Sequence, residues 1–235
     1  MFRVFLLIVV SLLSLPSYSQ ESENSVTTDT ENEYENLSLS RVESNSRGAA
    51  VKVQTHVGHG SGTYTVISGF HVVFTAAHVV DDFDKVSIVG RAGESIEGTV
   101  VYRDVENDFA AIMIEEMTTR EPVSFKVRNR EYTESIGDNI CYTGFPNRHD
   151  LLTIRGSVAG YENGYLMVQS YTWMGASGSG VFDMRGNYIG TLVAVDLGRF
   201  RGTLQIVESV VWVVPVQNLD LAAVTQALRM HSTGI

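Results

Sequence analysis

The 235-residue sequence predicts an all-β protein made of two packed six-stranded antiparallel β-barrels, closed by a C-terminal helix. Two observations predict this fold. From about residue 48 onward, short runs rich in Val, Ile, Thr and Tyr alternate with Gly, Asn and Asp turns, which is typical of half-buried strands. The runs also fall into two groups of about six with almost no helical periodicity between them, and this excludes an α/β fold.

The first group of runs predicts barrel 1 over about residues 48–125, and the second predicts barrel 2 over about residues 135–217. The first six runs are AVKVQTH, GTYTVISG, HVVFTAA, KVSIVG, EGTVVYR and FAAIMI, and the second six are NICYTGF, LLTIRGSVAGYE, YLMVQS, SGVFDM, YIGTLVAV and LQIVESVVWVVPV. Asn163-Gly164 is typical of a tight hairpin turn. The helix is predicted over about residues 218–230, with Asn218 as its N-cap and apolar residues on one face.

The start of the chain predicts export. Residues 1–20 combine Arg3, an apolar run of about a dozen residues and small residues at positions 17–19, as a signal peptide does. That run is shorter than the roughly 20 residues of a membrane-spanning helix, so we expect a secreted or periplasmic protein without another membrane association. Residues 21–47 are polar and acidic without apolar periodicity, and they predict a disordered linker or a removable pro-segment before a domain over residues 48–235.

Composition excludes several classes of function. The formal net charge of −10 argues against a surface that tracks nucleic-acid phosphates. The single cysteine, Cys141, rules out an intrachain disulfide, and its apolar neighbours favour a buried side chain over a nucleophile. His56 and His59 are three apart on a predicted strand and point to opposite faces, which is poor geometry for a metal. We therefore predict no metal, no cofactor and no nucleic-acid partner.

Three short segments carry the residue types that serine-dependent acyl transfer requires. His78, in FTAAHVV, supplies an imidazole that can take a proton near neutral pH. Asp108, in NDFAAI, supplies a carboxylate that can orient the imidazole. Ser177, in GASGSG, follows Gly175, whose backbone freedom allows two N–H groups to point at one oxyanion. Each segment alone also fits a structural role, but together they predict a site in the cleft between the barrels.

The segments FTAAHVV, NDFAAI and GASGSGVF resemble the three signature segments of the chymotrypsin-like (trypsin-fold) serine peptidases. The resemblance covers roughly residues 49–235 and is nearest in texture to bacterial glutamyl endopeptidases and heat-stress serine proteases. It implies a serine endopeptidase that cleaves protein or peptide substrates through an acyl-enzyme. In such an enzyme His78 is the general base and then acid, Asp108 orients it, and Ser177 is the nucleophile.

The resemblance also implies how the backbone assists. The oxyanion hole is expected from the N–H groups of Gly175 and Ser177, and the N–H groups of Ala77 and His78 are expected to steady Asp108. Two positions depart from the family pattern. Ala176 replaces an Asp that pairs with a newly cut N-terminus in digestive members, so we expect no activation of that kind. Val193 replaces a Ser that hydrogen-bonds the catalytic Asp.

Three positions predict the specificity pocket. Leu192 falls where glutamyl endopeptidases place a substrate-reading His, and a leucine offers nothing to a glutamate carboxylate. Tyr171 falls near the pocket base, where trypsin-like specificity would want Asp, and Val195 narrows the pocket wall. We therefore expect a small or medium apolar P1 side chain. A basic P1 residue is the alternative, because Asp196 is nearby.

Two other functions compete with this interpretation of the motifs. An α/β-hydrolase elbow needs Gly at position 179, where this chain has Ser, and it needs a catalytic His after the acid. Only His231 follows Ser177, inside the predicted terminal helix, so the sequence disfavours that class. A trypsin fold that has lost catalysis and serves as a binding module stays open, although all three triad positions are filled.

Overall fold

The computed structural model describes residues 39–127 and 135–234, apart from the side chain of residue 208. The strands in this part of the chain form two closed six-stranded antiparallel barrels, followed by a C-terminal helix, which confirms the predicted fold class. The predicted signal peptide, residues 1–20, and residues 21–38 of the predicted linker lie outside the described residues. Within the described ranges, no helix has the length and apolar character needed to cross a membrane.

Barrel 1 follows the first helix, α1 (Arg41–Ala49). Its strands are β1 (Ala50–Gln54), β2 (His59–Ile67), β3 (Phe70–Thr75), β4 (Lys85–Val89), β5 (Ser95–Asp104) and β6 (Phe109–Ile114). The strand order is β1-β2-β3-β6-β5-β4, and the barrel closes where β1 pairs with β4. A short helix, α2 (Ala77–Val80), follows β3. The barrel interior is filled mainly by Val, Ile and Ala side chains around the buried Tyr64.

Barrel 2 repeats this topology without repeating the residues. Its strands are β7 (Asn139–Gly144), β8 (Leu152–Glu162), β9 (Tyr165–Ser170), β10 (Gly180–Asp183), β11 (Tyr188–Phe200) and β12 (Thr203–Pro215). The order β7-β8-β9-β12-β11-β10 is that of barrel 1, and β7 closes against β10. Asn163 and Gly164 have φ values of 52° and 88° between β8 and β9. Two consecutive positive φ values are what a tight hairpin turn of this sequence requires.

The outer halves of β11 and β12 form a two-stranded ribbon, residues 196–207, that extends beyond barrel 2. Its pairing runs from Asp196 with Val207 to Phe200 with Thr203, after a register shift at Val195. By contrast, β10 pairs with β11 no further than Thr191, and β9 pairs with β12 no further than residue 210. Each strand of the ribbon therefore has only the other as a neighbour.

A shared apolar core joins the two barrels. Phe74 and Phe109 of barrel 1 pack edge to face with centroids 4.9 Å apart, and Phe74 also faces Tyr188 of barrel 2 at 6.4 Å. Cys141 is fully buried in this core, and its burial raises the pKa of the thiol to about 12. A thiol held in its protonated form is a poor nucleophile, which agrees with the buried structural role expected for it.

The C-terminal helix α3 (Leu221–Thr233) begins later than the sequence predicts. Its N-cap is Asp220, whose carboxylate accepts a hydrogen bond from the Ala223 N–H at 2.9 Å. Asn218, the predicted cap, lies in a preceding turn of 3-10 helix and donates its side-chain amide to the Gly164 carbonyl at 3.0 Å. The cap is displaced because this tertiary contact occupies Asn218. The buried side chains of α3 complete the shared core.

Helix α1 corrects the prediction of a disordered linker for residues 41–47. Ser40 and Glu43 form a capping box: the Ser40 N–H donates to the Glu43 carboxylate at 2.7 Å, and the Glu43 N–H donates to the Ser40 hydroxyl. Glu43 is only 1% exposed and forms a two-pronged ion pair with Arg155 of β8. Polar contacts to residues distant in sequence hold the helix, so it forms without the apolar periodicity that would have predicted it.

Further hydrogen bonds fix α1 to barrel 2 and to the segment after β6. The Ser46 hydroxyl donates to Thr143 at 3.1 Å, and the Arg47 guanidinium donates to the Leu151 carbonyl at 3.1 Å. The Arg120 guanidinium, from the segment after β6, donates to the Arg47 carbonyl at 3.1 Å. The helix therefore joins barrel 2 to the chain that leaves barrel 1.

The ion pair of Glu43 predicts a pH-dependent contribution to stability. Hydrogen bonds from Arg155 lower the pKa of Glu43 from 4.5 to about 2, against the opposing effect of burial. We expect Glu43→Gln to lower the free energy of unfolding at pH 7 by about 2 to 3 kcal/mol. Because the pKa is depressed in the folded state, the difference from wild type should disappear as the pH falls from about 4.5 to about 2.

Urea unfolding across this pH range measures the effect. Glu97→Gln is the matched control, because Glu97 pairs with Lys85 at 2.5 Å on the surface and both side chains are well exposed. We expect the control to cost less than about 1 kcal/mol. An equal loss in both variants, or a loss at Glu43 that persists at pH 2, would contradict the assigned role.

Candidate active site

His78 is presented by the short helix α2, immediately after β3. The hydroxyl of Thr75, the last residue of β3, donates to the Ser61 carbonyl at 2.7 Å and ties the strand end to β2. Helix α2 ends at Asp81, which has a φ of 40°. The His78 side chain is 43% exposed, so one face of its ring is open to an incoming molecule.

Asp108 occupies the turn between β5 and β6 and faces His78. Its φ of 48° lies in a region that Asp tolerates better than most residues. Asp104 stabilises the turn by accepting from the Asn107 N–H at 3.0 Å and side-chain amide at 2.8 Å. Asp108 accepts from the His78 N–H at 2.9 Å through Oδ1, and Oδ2 lies 2.7 Å from His78 Nδ1. In the described structure, Ala77 N–H, the other predicted donor, makes no hydrogen bond to Asp108.

The contact between the two side chains selects the tautomer of the neutral imidazole. A carboxylate can only accept, so Nδ1 of His78 carries the hydrogen and Nε2 bears the lone pair in that tautomer. Tyr165 lies near the same carboxylate: burial and then the charge of Asp108 raise the pKa of its hydroxyl. The apolar side chain of Val193 supplies no donor to Asp108, so the hydrogen bonds from His78 hold the carboxylate.

Ser177 lies in the loop between β9 and β10, which touches both barrels. Its carbonyl accepts from the Ser61 N–H of barrel 1 at 2.8 Å, and the next N–H, that of Gly178, donates to the Leu192 carbonyl of barrel 2 at 2.7 Å. Gly178 has a φ of 92°, and a Cβ there would lie 2.0 Å from the Ser61 carbonyl oxygen and 3.1 Å from the Ala76 nitrogen. Glycine is therefore required for the loop to reach the strand end that leads to His78.

The Ser177 hydroxyl points at a backbone carbonyl. Its Oγ donates to the carbonyl of Val193 at 3.5 Å, which is long for a hydrogen bond. Among the described residues no hydrogen bond joins Ser177 to His78. The structure thus joins the histidine and aspartate in a hydrogen-bonded pair, whereas the Ser177 hydroxyl is directed toward β11.

Two backbone N–H groups at the Ser177 loop, those of Gly175 and Ser177, have no acceptor within the described residues. Gly175 has a φ of 95°, and the Met174 carbonyl that precedes it accepts from the Asn147 N–H at 2.6 Å. In a trans peptide the N–H points away from the carbonyl, so this bond directs the Gly175 N–H to the opposite side. Within the described ranges, neither the Gly175 N–H nor the Ser177 N–H donates to any acceptor. Both remain available to an oxyanion.

Three residues that the sequence analysis did not single out as site residues support Gly175. The Ser61 hydroxyl donates to the Gly175 carbonyl at 2.7 Å and accepts from the buried Phe145 N–H at 2.9 Å. His59 Nε2 lies 3.1 Å from the Phe145 carbonyl, and a Cβ on Gly175 would come within 2.5 Å of that carbonyl. One signal was present in the sequence: Gly60-Ser61-Gly62 is a second stretch of small residues, and such stretches permit close approach of backbones.

The residues predicted to line the specificity pocket have different surroundings. Tyr171 is 45% exposed, whereas Leu192 is buried in the core of barrel 2 in the same apolar cluster as Ala176. Val195 is half-buried on β11. The burial of Ala176 gives a reason for its identity, because a carboxylate in that apolar cluster would be desolvated. In the described part of the chain, no group of three or more His, Cys, Asp or Glu side chains could hold a metal ion.

Comparison with known proteins adds independent evidence. A family model described as a trypsin-like peptidase domain matches residues 60–191, more than half of the chain. The fold is similar to the crystal structure of the serine endoprotease from Yersinia pestis, with a TM-score of 0.63 and 20% identity over 80% of this chain and 65% of that one. It is also similar to an inactive serine-to-alanine mutant of a protein from M. tuberculosis, with a TM-score of 0.61 and 16% identity over 82% and 91%. No curated protein matches the sequence.

The bridging hydroxyl of Ser61 predicts a measurable loss of stability on mutation. We expect Ser61→Ala to lower the free energy of unfolding by about 1 to 3 kcal/mol, because the buried Phe145 N–H then loses its acceptor. Urea unfolding measures the change. Ser87→Ala, which removes one hydroxyl of the exposed Ser87–Ser95 pair, is the control and should stay within about 0.5 kcal/mol of wild type. Equal stability of Ser61→Ala and wild type would show that the bridge is dispensable.

Proposed function

The chain belongs to the trypsin-like peptidase family, and from this premise we propose that it is an exported serine endopeptidase whose catalytic triad is His78, Asp108 and Ser177. The observation that carries the proposal is the His78–Asp108 pair, in which Nδ1 of the imidazole faces the carboxylate and Nε2 is left for the hydroxyl of Ser177. Export is supported by the composition of residues 1–20. The expected substrates are proteins or peptides.

In the first step the Ser177 hydroxyl leaves the Val193 carbonyl and turns to Nε2 of His78. Little is lost in this rotation, because the 3.5 Å contact with Val193 is weak. His78 removes the hydroxyl proton as Oγ attacks the scissile carbonyl carbon. The imidazolium that forms is stabilised by the Asp108 carboxylate, which lies 2.7 Å from Nδ1 and stays ionised.

The attacked carbonyl becomes an oxyanion in the second step. The N–H groups of Gly175 and Ser177 are positioned to receive it, and loss of one such donor typically costs about 10²- to 10³-fold in rate. The tetrahedral intermediate collapses, the C–N bond breaks, and His78 gives its proton to the leaving amine. Water, deprotonated by the same imidazole, then hydrolyses the ester on Ser177 and regenerates the enzyme.

A small or medium apolar P1 side chain is the proposed preference. Leu192 supplies no charge or hydrogen bond for an acidic P1 residue, and Val195 on the adjacent strand is also apolar. The second choice is a basic P1 residue, since Asp196 follows Val195 on β11 and is half-buried there.

A catalytically silent binding module is the second candidate function. One observation favours it: the Ser177 hydroxyl contacts the Val193 carbonyl and forms no hydrogen bond to His78 within the described residues. A fold of this kind would still present the cleft to a peptide but would not activate the serine.

Labelling with a fluorophosphonate separates the two candidates. The chain without residues 1–20 should become covalently labelled at Ser177, and Ser177→Ala should not react. His78→Ala should abolish detectable labelling, because the base is removed. Asp108→Asn should fold normally yet lose about 10³- to 10⁴-fold in kcat on a peptide substrate, because the imidazole is no longer held in the required tautomer. Correctly folded wild-type protein that stays unlabelled would favour the binding module.

Cleavage-site profiling tests the specificity. We expect a peptide-library digest to show cuts mainly after small or medium apolar residues, with Ser177→Ala as the control for contaminating peptidases. A digest dominated by cuts after Glu, Lys or Arg would refute the apolar preference. Cuts mainly after Lys or Arg would favour the second choice, in which Asp196 binds a basic P1 residue.

A further inference from the structure

Two basic side chains of barrel 1 lie against Phe145, next to the oxyanion donors. Lys52 Nζ stands 5.1 Å from the centroid of the Phe145 ring, and His59 Nε2 lies 3.1 Å from the Phe145 carbonyl. The carbonyl only accepts, so Nε2 of His59 carries a hydrogen. Phe145 itself is 5% exposed; its ring faces Lys52 and its carbonyl faces His59.

The strand register places Lys52 and His59 on the face of barrel 1 that meets the Ser177 loop. In the β1–β2 pair Lys52 lies opposite Ser61, and His59 precedes Ser61 by two residues on the same strand. Residues two apart on a strand share a face, as do directly paired residues. The Ser61 hydroxyl bonds to Gly175, so Lys52 and His59 flank the oxyanion donors on the barrel 1 side.

If the proposed P1 pocket is correct, this face lies on the leaving-group side of the scissile bond. The proposed P1 pocket is built on β11, and the Ser177 hydroxyl contacts Val193 on that strand. The acyl half of an extended substrate would therefore run along β11. The other half would then leave in the opposite direction, on the side of Phe145, whose carbonyl a Cβ on Gly175 would meet at 2.5 Å.

The charge of this face differs from that of the molecule. The whole chain carries a formal net charge of −10, yet Lys52 lies on this face. The loop after Phe145 adds the exposed Arg148 and one exposed acid, Asp150. We propose that Lys52 forms a subsite that selects an acidic substrate side chain within the first three residues after the scissile bond, an inference that rests on the proposed peptidase function.

The chemistry of the lysine suits this role. The aromatic ring stabilises the ammonium group from one side, while its N–H donors remain free for a carboxylate. A partly exposed charge pair of this kind gives about a fivefold preference for Glu over Gln at low ionic strength. Because exposed charges are screened by salt, the preference should fall toward unity near 1 M salt.

Matched internally quenched peptides test the subsite. Peptides that share the residues before the cut and carry Glu, Gln or Lys at the first, second or third position after it should give kcat/KM in the order Glu, Gln, Lys at one of these positions. Lys52→Met should remove most of the Glu preference, and Lys52→Arg should restore it. Lys85→Met removes an exposed lysine from another part of barrel 1 and should leave the ratio unchanged.

The outcomes separate this inference from the proposed function. Labelling of Ser177 together with equal cleavage of the three peptides at every position overturns the subsite and leaves the peptidase standing. A Glu preference that survives Lys52→Met, or that does not change with salt, also overturns the subsite. Absence of both labelling and cleavage overturns the two proposals together. A Glu preference that is lost in Lys52→Met and retained in Lys52→Arg supports the assignment.

Discussion

The contact between Ser61 and the Ser177 loop is the constraint on which the site depends. Ser61 donates its N–H to the Ser177 carbonyl and its hydroxyl to the Gly175 carbonyl, while its own carbonyl accepts from Thr75 at the end of β3. One residue of barrel 1 therefore fixes the Ser177 loop, the backbone at Gly175 and the strand that leads to His78. The arrangement of the Ser177 loop therefore depends on contact between the two barrels.

Close backbone approach is the physical condition for that contact. At Gly178 a methyl group would lie 2.0 Å from the Ser61 carbonyl oxygen, and at Gly60 it would lie 2.5 Å from Val79 and 3.0 Å from the Ser177 carbonyl. These glycines are needed to let two separately folded barrels share one site. The aromatic rings of the shared core also pack across the two barrels, where Phe74 meets Tyr188.

The sequence predicted what depends on local pattern and missed what depends on register and distant polar contacts. Alternating apolar residues identified the strands, and short motifs identified His78 and Asp108, which the structure joins. The pairing of Lys52 with Ser61 could not be predicted, because the sequence of neither strand alone determines the register between them. Helix α1 was missed because Glu43 is held by Arg155, 112 residues away. The orientation of the Ser177 hydroxyl is likewise a rotamer choice with no signature in sequence.

The two-stranded ribbon implies that the inner and outer halves of β11 differ in how readily their backbone hydrogen bonds open. Up to Thr191, β11 has strands on both sides, whereas residues 196–200 have only β12 beside them. A two-stranded ribbon is marginally stable by itself, so its backbone amides can open locally without unfolding the barrel. Deuterium should therefore enter the outer half of β11 much faster than the inner half. The boundary would fall near the register shift at Val195, within a few residues of the carbonyl that faces Ser177.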